Sequence, residues 1–254
     1  MSTKATTLNS KKSVGALVKD WMSLVGIAIL IVVFSIISYV KFGAQYFLTW
    51  SNWKNILMQS STVAIVALGQ SIMLLTGNFD LSLGRMVCLT SCVGAILMKN
   101  VGMSTGLAIL IMFAIGLAVG AVNGFMVSYV GVPAMIATLG TWYITKGLAY
   151  AISNSYAIVQ GLPANFGWVN RYVGPFPLMV VIAVAVFAVF YILLNRTLLG
   201  KYAYAIGGNS ETARLSGIKV NLVRCVLYIL TALMSSFVGI LMSSRINSGD
   251  PNLS

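Results

Sequence analysis

The feature that most constrains this chain is a succession of apolar runs without a single charge. Residues 21–40, 55–79, 100–145, 177–194 and 225–242 carry no Asp, Glu, Lys or Arg. About 20 apolar residues in a helix span a hydrocarbon core of roughly 30 Å. Backbone in hydrocarbon must satisfy its own hydrogen bonds, so such runs are predicted to be helical. A soluble domain has about 25% charged residues to cover its surface. This chain has 8%, against 59% hydrophobic residues. Much of its solvent is therefore lipid.

The runs define crossings. The first is 21–40. A secretory signal would have a shorter apolar core and a small-residue cleavage site, whereas Lys41, Phe42 and Gly43 follow here, so a retained span is expected. The second is 55–79. The third, 86–98, is short and becomes adequate if its helix starts near Ser82. The run 100–145 is too long for one crossing and is broken at Gly131-Val132-Pro133, which predicts two spans, near 105–130 and 134–151, joined by a tight turn. The sixth is 177–194 and the seventh 225–242. The expected fold is all-α, a polytopic transmembrane helical bundle of about seven spans. Residues 1–20 form a polar N-terminal tail and 21–254 the membrane domain.

The connections differ in character. Residues 152–174 hold Asn154, Pro163, Asn165, Trp168, Asn170, Arg171 and Tyr172, the composition of a loop with interfacial aromatics. Residues 195–224 carry Arg196, Lys201, Arg214, Lys219 and Arg224 and form the most basic internal segment. Lys4, Lys11, Lys12 and Lys19 place the N-terminus in the cytoplasm by the positive-inside rule. Six crossings later, 195–224 returns to the cytoplasm, where its own charge also places it. The same count puts 152–174 outside.

Composition removes several functional classes. The net charge of +12 lies in short segments between apolar runs, not across a polar face, so it orients the chain and does not indicate nucleic acid. There is no histidine, and the acids are Asp20, Asp80, Glu211 and Asp250, so His-based acid–base catalysis and a metal site are not expected. Cys88, Cys92 and Cys225 read as small apolar packing residues. Gly116, Gly120 and Gly124 recur every fourth residue and form a stripe on which another helix can pack closely.

Two segments carry functional information. Residues 76–85 join two apolar helices with almost no linker and contain Gly77, Asn78, Asp80, Ser82 and Gly84. Asp80 is the one acid between Trp21 and Ser210. A carboxylate at membrane depth faces a cavity or a partner, and irregular backbone there is tolerated inside protein or beside water. Asp80 or Ser82 could equally cap the following helix; the substrate-pathway and capping roles are compatible, and Arg85 is a possible partner for the charge. The second segment is 202–218. Asn209 suits an N-cap, Glu211 the first turn, Arg214 the last, and Gly217 a left-handed C-terminal cap. A short helix of about two turns is expected in a cytoplasmic loop, as a docking surface or simply as a stable surface loop.

The run Gly207-Gly208-Asn209-Ser210-Glu211-Thr212-Ala213-Arg214-Leu215-Ser216-Gly217-Ile218 resembles the cytoplasmic signature of permeases from ribose/xylose-type sugar ABC importers. Asp80-Leu81-Ser82-Leu83-Gly84 is similar to that family's Asp-Leu-Ser-Val-Gly motif. Thr138-Leu139-Gly140-Thr141, Lys146-Gly147-Leu148 and residues 245–251 are similar as well, and the likeness covers nearly everything from Asn55 onward. The chain departs from the pattern at Asn78, where the family has Gly, and at Arg85, where it has a small residue. The resemblance implies an ABC importer permease fold in the bacterial cytoplasmic membrane, translocating a monosaccharide or a related polyol-like solute. It implies cytoplasmic ABC ATPase subunits, an extracytoplasmic solute-binding protein and a second permease chain as partners. No cofactor is expected in this chain, since ATP would be hydrolysed on the partner; no phosphate-cradling Gly-x-x-x-x-Gly-Lys-Ser/Thr motif is present. It also implies Gly77, Asn78, Asp80, Ser82 and Gly84 as the substrate pathway, and Gly207, Gly208, Asn209, Glu211, Ala213, Arg214 and Gly217 as the ATPase-coupling loop. Family members continue past the stretch matching 248–253, so the chain is expected to be C-terminally truncated, unable to transport alone, with Ser235, Ser236, Ser243 and Gly239 facing lipid. An ATP-independent secondary transporter or channel is the alternative; it would need several ionisable groups at depth, and only Asp80 qualifies.

Overall fold

The computed structural model describes residues 14–253. Of the polar tail expected at 1–20, residues 1–13 with Lys4, Lys11 and Lys12 lie outside the described residues. The chain divides into two compact units, 1–56 and 57–254, with the division inside a helix.

In the first unit, α1 runs Val14–Phe42. Its Trp21, Ile27, Leu30 and Ile36 side chains are exposed, as a lipid-facing helix requires. Gly43 takes a left-handed conformation at φ +66°. The Ser38 hydroxyl then accepts from the backbone N–H groups of Tyr46 (3.0 Å) and Phe47 (3.3 Å), folding 43–49 back on the helix end. The Phe47 ring stacks on Phe34 at 5.7 Å. Helix α2 follows at Trp50–Leu75.

The second unit contains the rest of α2, then α3 (Leu83–Lys99), α4 (Thr105–Phe125), a π-helical turn (Met126–Val130), α5 (Ala134–Ser153), α6 (Leu178–Arg196), α7 (Leu198–Gly208), α8 (Ser210–Leu215) and α9 (Val220–Ile246). Two-residue strands β1 (Ile158–Val159), β2 (Tyr172–Val173), β3 (Phe176–Pro177) and β4 (Ser248–Gly249) trim the loops. The all-α reading stands.

Helix α9 is the centre of this unit. Its most apolar stretch is 61% buried, whereas that of α6 is 11% buried. The reason is the glycine stripe. Gly116, Gly120 and Gly124 of α4 all face α9, where added methyl groups would meet Ser236 and Ala232, Ile229 and Tyr228, and Cys225. Removing three side chains lets the two backbones touch, which is how helices gain packing energy in lipid. On another side Gly239 of α9 lies against Thr90 and the Val87 carbonyl of α3. Ser235, Ser236 and Ser243 are fully buried. The expectation that they and Gly239 face lipid is therefore corrected: all three serines are buried, with Ser236 against Gly116 of α4 and Gly239 against α3. Cys88 and Cys92 are buried within α3, as packing residues should be.

Among the described residues, five helices are long and apolar enough to cross a membrane: α1, α2, α4 with its π-turn, α6 and α9. Helix α3 has 17 residues and is buried on nearly every side. Helix α5 has 20 residues but is diluted by Thr138, Thr141, Thr145 and Lys146. The loop expected at 152–174 is ordered. It holds a 3-10 helix (Ala164–Asn170) with Phe166 and Val169 buried. β1 pairs antiparallel with β4, matching Ile158 to Gly249, so the residues after α9 lie against this loop. The Asn170 amide adds a bond to the Arg245 carbonyl at 3.1 Å.

Candidate functional site

Helix α2 ends at a tight turn. Gly77 adopts φ +72°, the Asn78 N–H reaches the Met73 carbonyl at 2.9 Å, and the Asn78 amide donates to the Thr76 carbonyl at 3.1 Å. Gly77 and Asn78 thus close the helix end. Gly84 sits in the first turn of α3. Asp80 and Ser82 do something else.

Asp80 is 4% exposed. Its Oδ1 accepts from the Ser82 N–H at 2.8 Å and from the Ser82 hydroxyl at 2.6 Å. Ser82 itself makes no side-chain cap to α3. The capping reading therefore survives as an Asx-type turn from Asp80, not as a serine cap. The Ser82 oxygen also accepts from the Asn123 amide of α4 at 3.1 Å. The Asn123 carbonyl oxygen accepts in turn from the Thr141 hydroxyl of α5 at 2.5 Å. Four side chains, from the turn, α4 and α5, form one polar chain, buried at Asp80, Ser82 and Asn123 and half-buried at Thr141. The other carboxylate oxygen, Oδ2, is buried without a partner, and so is the Tyr228 hydroxyl of α9, which lies within electrostatic range of Asp80. Buried polar atoms are normally satisfied, so the Asp80 Oδ2 retains capacity to accept from a hydroxylated ligand or water.

Arg85 does not pair with Asp80. Its guanidinium lies over the Trp142 ring at 5.0 Å, because the start of α3 turns it toward α5. The Lys146 ammonium shares that ring, also at 5.0 Å. Beside Thr141 an apolar cleft of about 450 Å³ opens between α3, α4 and α5, walled by Leu89, Val93, Ile115, Ile144 and Leu148.

Asn123, Thr141 and Tyr228 were missed as site residues. Asn123 was findable: it is the one amide in α4, next to the glycine stripe.

The second segment holds two helices where one was expected. α7 is capped by Thr197, whose oxygen accepts from the Gly200 N–H, and ends at Gly207 and Gly208. A side chain at Gly207 would strike the Leu75 carbonyl at the end of α2. α8 is built as its sequence implies. The Asn209 carboxamide oxygen accepts from the N–H groups of Glu211 (3.0 Å) and Thr212 (2.9 Å). Gly217 closes it at φ +85°, with the Ile218 N–H on the Ala213 carbonyl at 3.1 Å. Ala213 is buried beneath it. Glu211 and Arg214 pair at 3.7 Å with both side chains over half exposed, a contact worth little to stability. Leu215 is 83% exposed. α8 is thus a capped helix that presents an exposed ion pair and a bare leucine.

Comparison with known proteins decides the family. Residues 52–254 match the model for the branched-chain amino acid transport system / permease component family. The chain belongs to this family of transport permeases. It is similar to the ribose import permease protein of Escherichia coli (strain K12), with 35% identity over 92% of this chain and 73% of that protein. It is 34% identical to the galactose/methyl galactoside import permease protein of Salmonella typhimurium (strain LT2), over 92% of this chain and 74% of the relative. The L-arabinose transport system permease protein of Escherichia coli (strain K12) is 33% identical, over 81% and 62%. No solved structure matches the chain. The resemblance to sugar-importer permeases read from the sequence is borne out, and the chain is a membrane permease subunit, not an enzyme.

Proposed function

We propose that this permease is the transmembrane subunit of an ABC importer that carries a monosaccharide across the bacterial cytoplasmic membrane. The observation that carries this reading is α8, a fully capped helix with exposed Glu211, Arg214 and Leu215, in a chain similar to ribose and galactose/methyl galactoside import permeases and to an L-arabinose transport system permease. Cytoplasmic ATPase subunits dock on 195–224 through Asn209, Glu211, Arg214 and the leucine, with Gly207, Gly208 and Gly217 shaping the contact. An extracytoplasmic binding protein delivers the solute, and a second permease chain completes the pathway. ATP stays on the partner.

The turn 76–85 lies on the solute route, with Asp80 and Ser82 facing the sugar's hydroxyl groups and Gly77, Asn78 and Gly84 setting the backbone. Motion reaches it mechanically. The end of α7 rests on the Leu75 carbonyl, and Asp80 is five residues further along the chain. A shift of α7 and α8 driven by the ATPase therefore displaces the turn that carries the carboxylate.

Counting α3 and α5 with the five longer helices gives about seven crossings, with the N-terminus and 195–224 cytoplasmic and 152–174 outside. The β1–β4 pairing supports this parity, because it holds the end of α9 on the side of 152–174. The test is purification from its native membrane. An ABC ATPase should copurify, and the solute-loaded binding protein should stimulate its ATP hydrolysis. Ribose, galactose and arabinose are the solutes to try first. Absence of any ATPase would refute the reading and favour an ATP-independent carrier.

A further inference from the structure

At the start of α9, a cleft of about 650 Å³ opens between the π-turn after α4 and the 214–222 stretch. It is lined by Tyr129, Arg214, Lys219, Asn221 and Leu222, among others. Its lining holds two cations and no carboxylate; the acid nearby is Glu211, paired with Arg214 at 3.7 Å. Lys219 is exposed. The cleft thus presents one paired cation, Arg214, and one exposed cation without a carboxylate in the lining, Lys219, beside a membrane-spanning helix.

The walls explain what kind of anion would fit. On the α9 side Leu222 and Val226 are exposed, one turn apart, at 50% and 39%. On the other side Phe125 and Tyr129 are exposed one turn apart, their rings stacked at 5.8 Å. Two apolar faces therefore lead from the cationic mouth along the spans. A free anion needs only the mouth. A molecule with an anionic head and aliphatic tails would use the mouth and both walls. Basic pockets between transmembrane helices at the cytoplasmic boundary are suited to lipid phosphate groups, and aromatic side chains such as Tyr129 prefer that level of the membrane.

We infer that this cleft binds an anionic phospholipid, its phosphate held by Lys219 and Arg214 with Asn221 and Tyr129 donating to the headgroup, and its acyl chains lying along Leu222–Val226 and Phe125–Tyr129. On the proposed reading, in which the ATPase meets the neighbouring α8 surface, the lipid borders that contact. A carboxylate from the ATPase in the same cleft would be a different occupant; the open apolar walls favour the lipid.

The experiment is native mass spectrometry of the purified 254-residue protein in neutral detergent. It is titrated with dioleoyl phosphatidylglycerol, with dioleoyl phosphatidylcholine, and with inorganic phosphate. The protein should retain phosphatidylglycerol in preference to phosphatidylcholine, and millimolar phosphate should not displace it. Lys219→Gln should lower that preference about fivefold, the worth of one cation near an anionic lipid surface. Lys219→Arg should keep it, and Leu222→Ser should weaken retention of both lipids. Arg171→Gln, an exposed cation in the 152–174 loop, should change nothing. Equal retention of the two lipids, equal losses in Lys219→Gln and Arg171→Gln, or displacement by phosphate alone would overturn the inference. So would a Lys219→Gln protein that keeps its lipid preference but no longer binds the ATPase, which would assign the cleft to that partner.

Discussion

The contact between α4 and α9 gives the sharpest test of how this bundle holds together. A methyl group at Gly120 would lie 2.7 Å from the Ile229 Cα, 2.8 Å from the Tyr228 carbonyl oxygen and 2.9 Å from the Ala232 Cβ. Non-bonded carbons rest at about 3.5–4.0 Å, so the two helices must separate by roughly 1 Å to admit it. Two of the three obstructing atoms are backbone, and no rotamer change relieves them. Overpacking typically costs about 1–3 kcal/mol, and the rigid neighbours put Gly120→Ala at the top of that range, about 3 kcal/mol. Gly140→Ala is the control. Its methyl would meet nothing within 4 Å, and alanine gains up to about 1 kcal/mol in a helix over glycine. Gly120 and Gly140 both lie inside helices, so that gain is common to the two variants, and they should differ by the packing cost alone, about 3 kcal/mol. Unfolding in mixed micelles, by titration with sodium dodecyl sulfate and tryptophan fluorescence, measures this directly. If Gly120→Ala unfolds at the same detergent fraction as Gly140→Ala, close approach of α4 and α9 does not stabilise the bundle and the argument fails.

Other expected outcomes follow from the site. Asn123→Leu removes the bridge between Ser82 and Thr141 and should destabilise the protein by about 1–3 kcal/mol while lowering transport; unchanged thermal unfolding would show that the chain of bonds is not maintained in the membrane. Asp80→Asn keeps an acceptor for Ser82, so folded yield in membranes should hold while solute uptake with the partner subunits falls; a loss of protein in proportion to uptake would make the carboxylate purely structural. Asn209→Ala should cost about 1 kcal/mol locally at α8, and Glu211→Lys almost nothing in stability, yet both should weaken ATPase copurification; retention of the ATPase by both would exclude α8 as the contact. Single cysteines at Asn165 and Ser210 in a cysteine-free background should react with impermeant maleimide from opposite faces, and labelling from one face would refute the topology.

The spans were legible because lipid imposes a simple rule, and charge-free runs record it. Helices α2, α4, α6 and α9 follow from those runs within about five residues, and α1 starts earlier than its run, at Val14 and not Trp21. The glycine stripe was legible too, since a four-residue period fixes one helix face, although the sequence did not say that α9 would fill it. Helix α7 was not legible. Its Leu198–Gly208 segment carries glycine at three positions, and it is stabilised from outside, by the Thr197 cap and the seat of Gly207 on α2. The burial of Ser235, Ser236 and Ser243 was misread for a related reason: a polar residue in a span shows that something must cover it, and not which helix does. Arg85 failed as a partner for Asp80 because sequence proximity ignores helical phase.

The candidate site was legible as two separate segments and not as one assembly. Asp80 and Ser82 drew attention because a charge beside glycine is costly in a membrane. Asn123 and Thr141 did not, since an amide and a hydroxyl on apolar helices are ordinary until the helices are docked. Their meeting depends on α4 and α5 packing so that positions 18 residues apart face each other. The link between segments is harder still. Leu75 and Gly207 are 132 positions apart, and nothing in either local sequence names the other. Yet Gly207 must be glycine because the Leu75 carbonyl occupies the space a side chain would need. That contact sits one residue before the turn that leads to Asp80, and two residues before the asparagine that caps α8. The glycine thus belongs to both segments at once: its close approach to the Leu75 carbonyl joins α7, which leads into α8, to the helix end from which the Asp80 turn departs.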